Sequence, residues 1–181
     1  MRVLGISGSL RRESHNTRLL LLAGRLLPPG AQLELYDGLK AIPPYDADDD
    51  VEPARGPVAD LRAAIADADA VLIATPEYNG SMAGVLKNAL DWASRPAGES
   101  VLRNKPVAVM GATTGMFGAV WAQAEARKVL ATIGARVIDR EMPLPRAQYA
   151  WGPEGRLDPE LEAEIGGVLV ELVSEVAPAV I

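Results

Sequence analysis

The segment Gly8-Ser9-Leu10-Arg11-Arg12-Glu13-Ser14-His15-Asn16-Thr17 concentrates groups that grip an anion. Ser9, Ser14 and Thr17 offer hydroxyls, Asn16 an amide, and Arg11 or Arg12 a full positive charge. An apolar run precedes the segment and a helical pattern follows it. It therefore sits at a helix N-terminus, where unpaired N–H groups and the helix dipole add positive character. That set suits a terminal phosphate monoester. The same hydroxyls also serve as plain helix caps, and Ser14 is a good N-cap in either case. Other phosphate loops fit badly. The pattern GxxxxGK[ST] is absent, and so is GxGxxG; only Asp37, after the second strand, imitates the ribose-holding acid of the dinucleotide pattern. His15, the only histidine, reads as an exposed residue or a local cap.

A second segment, Thr75-Pro76-Glu77-Tyr78-Asn79-Gly80-Ser81, follows a continuously apolar run. Pro76, Tyr78 and the backbone from Glu77 to Gly80 can give a flat ring a ledge, a few hydrogen bonds and an aromatic wall. An ordinary turn is the plain alternative, since Asn-Gly after proline is common turn chemistry. A third segment, Gly111 to Gly118, contains Thr113, Thr114 and Gly115, small residues that let a ligand approach backbone. Phe117, the only phenylalanine, reads equally as a gate over a site or as core.

For these segments to cooperate, the elements between them must bring them together. Val3-Ile6 reads as a first strand, Leu19-Leu27 as a helix stopped by Pro28-Pro29-Gly30, and Leu33-Tyr36 as a second strand. Ala41-Pro57 reads as a long acidic loop before a short helix, Val58-Ala66. Ala70-Ala74 is apolar throughout, as a strand covered on both faces is. A helix with Val85, Leu86, Ala89, Leu90 and Ala93 on one face leads to a strand at Val107-Met110. The helix Ala119-Ile133, a last strand at Val137-Ile138 and a terminal helix from Leu161 to Val176 complete the chain. Five strands alternating with helices predict an α/β fold over residues 1–181, a single domain: a parallel sheet between two helical layers. With the order 2-1-3-4-5, the first and third strands adjoin where the order reverses, which is where open sheets of this kind bind ligands.

Composition removes other classes. The chain has 181 residues, 49% hydrophobic and 23% charged, and no cysteine. Thiolate nucleophiles, zinc-thiolate sites and disulfides are excluded, and a single histidine rules out a multi-histidine metal centre. The run Asp46, Asp48, Asp49, Asp50 lacks the spacing of a known metal loop and reads as solvated; no metal is expected. A net charge of −6 speaks against nucleic acid. No apolar stretch reaches transmembrane length, and Met1 to Ser9 is too short for a secretory core, so a cytoplasmic location off the membrane is expected.

Gly8-Ser9-Leu10-Arg11-x-x-Ser14-x-Asn16, then Pro76-Glu77-Tyr78-Asn79-Gly80-Ser81, then Leu86-Lys87-Asn88-Ala89-Leu90-Asp91-Trp92 resemble the NADPH-dependent FMN reductases, a group that includes quinone, azo and chromate reductases. The resemblance runs from Val3 to about Ile138. It implies a flavodoxin-like three-layer sandwich, bound FMN, NADPH or NADH as reductant, a small-molecule acceptor, and a homodimer or homotetramer. It assigns the phosphate to Ser9, Arg11, Ser14, Asn16 and Thr17. The isoalloxazine ring falls to Pro76, Glu77, Tyr78, Asn79 and Gly80, and its surroundings to Thr113, Thr114 and Gly115. Backbone donors at Thr113 to Gly115 are expected at the flavin N1 and O2 edge, with Asn79 on its polar rim. The helix bearing Lys87, Asn88, Asp91 and Trp92 resembles the family's subunit-contact helix, although Trp92 equally fits a core position, as Arg146, Tyr149 and Trp151 fit either a sheet edge or a partner. The third segment departs from the family: Thr113-Thr114-Gly115 stands for Ser-Pro-Gly, and Gly118-Ala119 for Gly-Gly, so Ala119 is expected to narrow the nicotinamide side. Hydride is expected to pass through flavin N5 with no catalytic side chain and with ping-pong kinetics. An FMN-binding electron carrier that docks a protein, and a non-redox phosphate-binding or hydrolytic domain, are the competing readings.

Overall fold

The computed structural model describes residues 1–176. Strands β1 (Arg2–Ser7), β2 (Gln32–Tyr36) and β3 (Ala70–Thr75) come first, followed by a two-stranded hairpin of β4 (Glu77–Tyr78) and β5 (Ser81–Met82). Strands β6 (Pro106–Ala112), β7 (Arg136–Val137) and β8 (Pro143–Leu144) complete the set. The helices are α1 (His15–Leu26), α2 (Gly56–Asp67), α3 (Gly84–Ala93), α4 (Val120–Ile133), the short α5 (Ala147–Ala150) and α6 (Pro159–Ser174). The parallel sheet runs β2-β1-β3-β6-β7. With the hairpin set aside, this is the order the sequence predicts.

The fifth position differs from expectation. Instead of one strand at Val137-Ile138, two short pieces, β7 and β8, pair with opposite ends of β6. The intervening Asp139, Arg140 and Glu141 are exposed. Arg127 on α4 donates to Glu141 in this excursion at 3.1 Å.

Strand alternation builds two cores, because successive side chains point to opposite faces. Val71, Ile73, Val107 and Val109 pack with Leu61, Ile65, Leu86 and Leu130 of α2, α3 and α4. Ala70, Leu72, Ala108 and Met110 pack with Leu19, Leu20, Ile165 and Leu169 of α1 and α6. β3 and β6 are buried along their whole length, which is why they read as continuous apolar runs. Among the described residues, no helix is long and apolar enough to cross a membrane.

The close approach of β6 to the start of α4 depends on Gly111. A Cβ placed there would lie 2.7 Å from the Ala119 methyl and 3.1 Å from the Thr75 carbonyl oxygen. Gly111→Ala is expected to cost about 1–3 kcal/mol, the usual penalty for overpacking. Adding Ala119→Gly removes the methyl that would be struck. Urea denaturation of both singles and the double is expected to show a favourable coupling between the two sites.

Candidate active site

Three loops leave the C-terminal ends of β1, β3 and β6 and meet beside the point where the strand order reverses. They form one crevice of about 270 Å³. Ser9, Arg11, Ser14 and Asn16 line it from the first loop, Pro76, Glu77 and Tyr78 from the second, and Thr113 and Thr114 from the third. Thr17 faces two adjoining grooves instead. Asn79 and Gly80 stand at the exposed hairpin tip, and Gly115 lies off the crevice wall.

The first loop is shaped by its own polar groups. Ser14 caps α1, accepting from the N–H groups of Asn16 and Thr17 at 3.2 Å each. Its own hydroxyl proton remains free to donate. The first turn of α1 carries no acid, so the dipole there is not neutralised. Asn16 is committed internally. Its Nδ2 donates to the Ala112 carbonyl and its Oδ1 accepts from the Ala112 N–H, both at 2.9 Å and both buried. The Thr17 hydroxyl donates to Ser7 Oγ at 2.9 Å. Ser9, Ser14 and Arg11 thus remain as donors of this loop that line the crevice, although Arg11 also donates to the Glu13 carbonyl.

In the second loop, Asn79 and Gly80 both adopt positive φ, 55° and 74°. This is the Asn-Gly geometry of a tight hairpin turn. Two carboxylates pin the hairpin. Glu77 accepts from the N–H groups of Trp121 and Ala122 in the first turn of α4, and Glu125 accepts from the Ser81 hydroxyl and the Met82 N–H. Those bonds hold the Glu125 carboxyl below the usual carboxylate range. Glu77 therefore reaches a helix end, a role its place in the motif does not reveal.

The third loop is held from behind. Thr113 donates its N–H to the Leu144 carbonyl, the Gly115 N–H donates to Thr113 Oγ1, and the Arg146 N–H donates to the Gly115 carbonyl. These bonds occupy some of the candidate backbone donors of the segment. Of Thr113, Thr114 and Gly115, only Thr114 has an N–H without a protein acceptor among the described residues. Ala119 also differs from expectation. It is fully buried, with φ of 64°, so its methyl faces the core and cannot narrow the crevice. The positive φ explains why glycine suits this position. Phe117 is exposed and packs edge-on against Trp121, 4.9 Å between centroids.

Trp92 is a core residue, 2% exposed, whose Nε1–H donates to the Pro43 carbonyl. Asn88 binds the same segment, donating to Pro43 and accepting from the Tyr45 N–H. The Lys87–Asp91 pair forms at 2.7 Å but is partly solvated, so it contributes little. Asp50 is drawn out of the acidic run by Arg62, which donates to it at 3.1 Å.

The donor chemistry fits a flavin nucleotide: an acid-free helix end with hydroxyls and a guanidinium for a phosphate, opposite a proline and tyrosine ledge for a ring. Comparison with known proteins is decisive. Residues 1–148 match the model of the NADPH-dependent FMN reductases. The chain belongs to that family. It is an oxidoreductase that works with FMN and a nicotinamide nucleotide. An NAD(P)H-dependent FMN reductase of Pseudomonas aeruginosa is 46% identical over 158 residues, 87% of this chain and 84% of the relative. A 2-hydroxy-1,4-benzoquinone reductase of a Burkholderia species is 44% identical over 134 residues, 72% of this chain and 70% of the relative. The structure of a flavoenzyme NAD(P)H:(acceptor) oxidoreductase from Paracoccus denitrificans superposes with a TM-score of 0.84. It is 32% identical, and the match covers 97% of this chain and 96% of the other. In this FMN reductase the motif residues lie on three loops of one sheet edge.

Because Asn16 satisfies both polar groups of the buried Ala112 peptide flank, Asn16→Ala is expected to cost about 2 kcal/mol or more, in line with about 1–3 kcal/mol for each buried group left unpaired. Asn16→Asp is not expected to rescue it, since a carboxylate cannot donate to the Ala112 carbonyl. Denaturant midpoints measure both. Lowering the pH through the depressed Glu125 value protonates that carboxylate and removes stability that is present above its ordinary range. Glu125→Gln is expected to flatten the acid limb of the stability–pH curve.

Proposed function

We propose that the protein is a cytoplasmic NAD(P)H oxidoreductase that reduces quinones and similar small oxidised acceptors in the crevice between its three loops. The convergence of the Ser9–Ser14 loop, the Pro76–Tyr78 ledge and Thr114 on one crevice carries this reading. The named activities of the Pseudomonas and Burkholderia relatives point to the same acceptors. Bound FMN supplies the chemistry, taking hydride from the nicotinamide nucleotide and passing it to the acceptor.

The residues hold and orient. The Ser9 and Ser14 hydroxyls and the Arg11 guanidinium bind the phosphate, strengthened by the acid-free N-terminus of α1. Asn16 and Thr17 keep that loop in shape. Pro76, Glu77 and Tyr78 support the ring through backbone and apolar surface, with Asn79 and Gly80 setting the turn that ends the ledge and the Asn79 amide available to the polar rim. The Thr114 N–H is the preorganised donor for the ring's N1 and O2 edge, on a loop that Thr113 and Gly115 stiffen. Residues 1–181 act as one domain, and two or four copies assemble.

Mixing FMN-loaded protein with NADPH in a stopped-flow spectrometer is expected to bleach the flavin band rapidly, and a quinone is expected to restore it. Steady-state data are expected to give the parallel double-reciprocal lines of a ping-pong scheme. Absence of bleaching by either NADPH or NADH overturns the reading in favour of an electron carrier. Replacing Ser9 and Arg11 together by alanine is expected to weaken FMN binding by about tenfold to a hundredfold, the worth of a charge-assisted hydrogen bond, with circular dichroism unchanged.

A further inference from the structure

His15 and Trp151, 136 positions apart, share a hydrogen bond. Trp151 Nε1–H donates to His15 Nδ1 at 3.1 Å. The two ring planes lie 9° apart with centroids 6.5 Å apart. That separation is too long for face-to-face contact and fits two rings placed end to end in one plane, so the N–H aims along the Nδ1 lone pair. Trp151 is itself held, with the Arg18 guanidinium 4.4 Å from its ring centroid and the α1–α6 core beneath it.

An indole N–H can only donate. Nδ1 of His15 is therefore bare, and the neutral ring carries its proton on Nε2. Burial, with Arg11 and Arg18 nearby, lowers the His15 pKa and favours that neutral form. His15 lines the crevice beside Ser14 and also the adjoining groove that Arg11, Arg12 and Arg18 border together with one carboxylate, Glu13. Its free nitrogen is thus a fixed donor set among the groups that suit an anion.

We propose that His15 is a further phosphate-binding residue, donating from Nε2–H to a phosphoryl oxygen, and that Trp151 is the positioning residue that fixes its tautomer. This rests on the flavin-nucleotide reading of the crevice. The phosphoryl oxygen belongs to FMN or to the nicotinamide nucleotide, which present the same chemistry.

Apoprotein is titrated with FMN and with riboflavin by flavin fluorescence quenching, in wild type, His15→Phe, His15→Gln and Trp151→Phe. His15→Phe is expected to weaken FMN about tenfold and leave riboflavin unchanged. His15→Gln, which keeps an N–H donor, is expected to restore most of the loss. If FMN affinity holds but KM for NADPH rises about tenfold, the bound phosphoryl is the nicotinamide nucleotide's. Because the chain has one histidine, imidazole nitrogen-15 spectra report this ring alone. They are expected to show protonated Nε2 and bare Nδ1, mixed tautomers in Trp151→Phe, and a shift of Nε2 on adding FMN or, to the loaded protein, NADP⁺. Those wild-type spectra decide the matter if His15→Phe does not fold. Unchanged FMN and NADPH constants in a folded His15→Phe, a proton on Nδ1, or an Nε2 signal indifferent to both ligands overturns the proposal. Failure of the parent reading looks different: wild-type protein that binds neither FMN nor riboflavin.

Discussion

Two buried hydrogen bonds between Asn16 and the Ala112 peptide groups hold the crevice in register. They join the first turn of α1 to the end of β6, across 96 positions of sequence and over the intervening β3. Sheet pairing fixes where the strands end, but it does not fix how the loops beyond them sit. This clasp ties the first loop directly to the end of the strand from which the third loop leaves. Burial makes the clasp strongly directional, because each unpaired amide or carbonyl there would carry its full desolvation cost. The Ser14 cap and the Thr113–Leu144 bond then extend order outward from that fixed point.

The fold was largely legible because its signals are local. Continuous apolar runs marked β3 and β6, proline and glycine marked the end of α1, and periodicity marked α3, α4 and α6. The sheet order followed from alternation and the switch point. What escaped was decided by tertiary contacts. No pattern separates a short edge strand from two fragments, and β7 and β8 are divided by the exposed residues 139–141, beside which Arg127 pairs with Glu141. The hairpin was visible only as Asn79-Gly80, whose turn chemistry competes with its part in the motif.

The loops of the site were legible in composition and less so in atomic role. Nine of the residues singled out line the crevice, yet Asn16 has its side-chain donor and acceptor occupied and Thr17 has its hydroxyl occupied. A residue type announces what it can donate, not which neighbour claims it first. The bond between His15 and Trp151 shows the same limit from the other side. Each looked idle, since each completes the other only after the chain has folded back. Ala119 is a third case. In sequence it is one methyl more than glycine beside a ligand site, whereas its positive φ turns that methyl into the core.

Among the helices that begin at this edge of the sheet, α1 and α4 have their ends treated differently. Both α1 and α4 lack acids in the first turn, so both ends start with unneutralised dipoles. The α4 end is answered from inside: Glu77 lends its carboxylate to the Trp121 and Ala122 N–H groups. That contact ties the carboxylate on the crevice wall to a helix end. The α1 end is capped by the neutral Ser14 hydroxyl instead, and the groove beside it is bordered by Arg11, Arg12 and Arg18 as well as Glu13, in a chain whose net charge is −6. Opposite local charge against that background gives an anionic ligand one favourable end of approach. What separates the two helix ends is thus the charge of the group that caps them, a carboxylate at α4 and a neutral hydroxyl at α1.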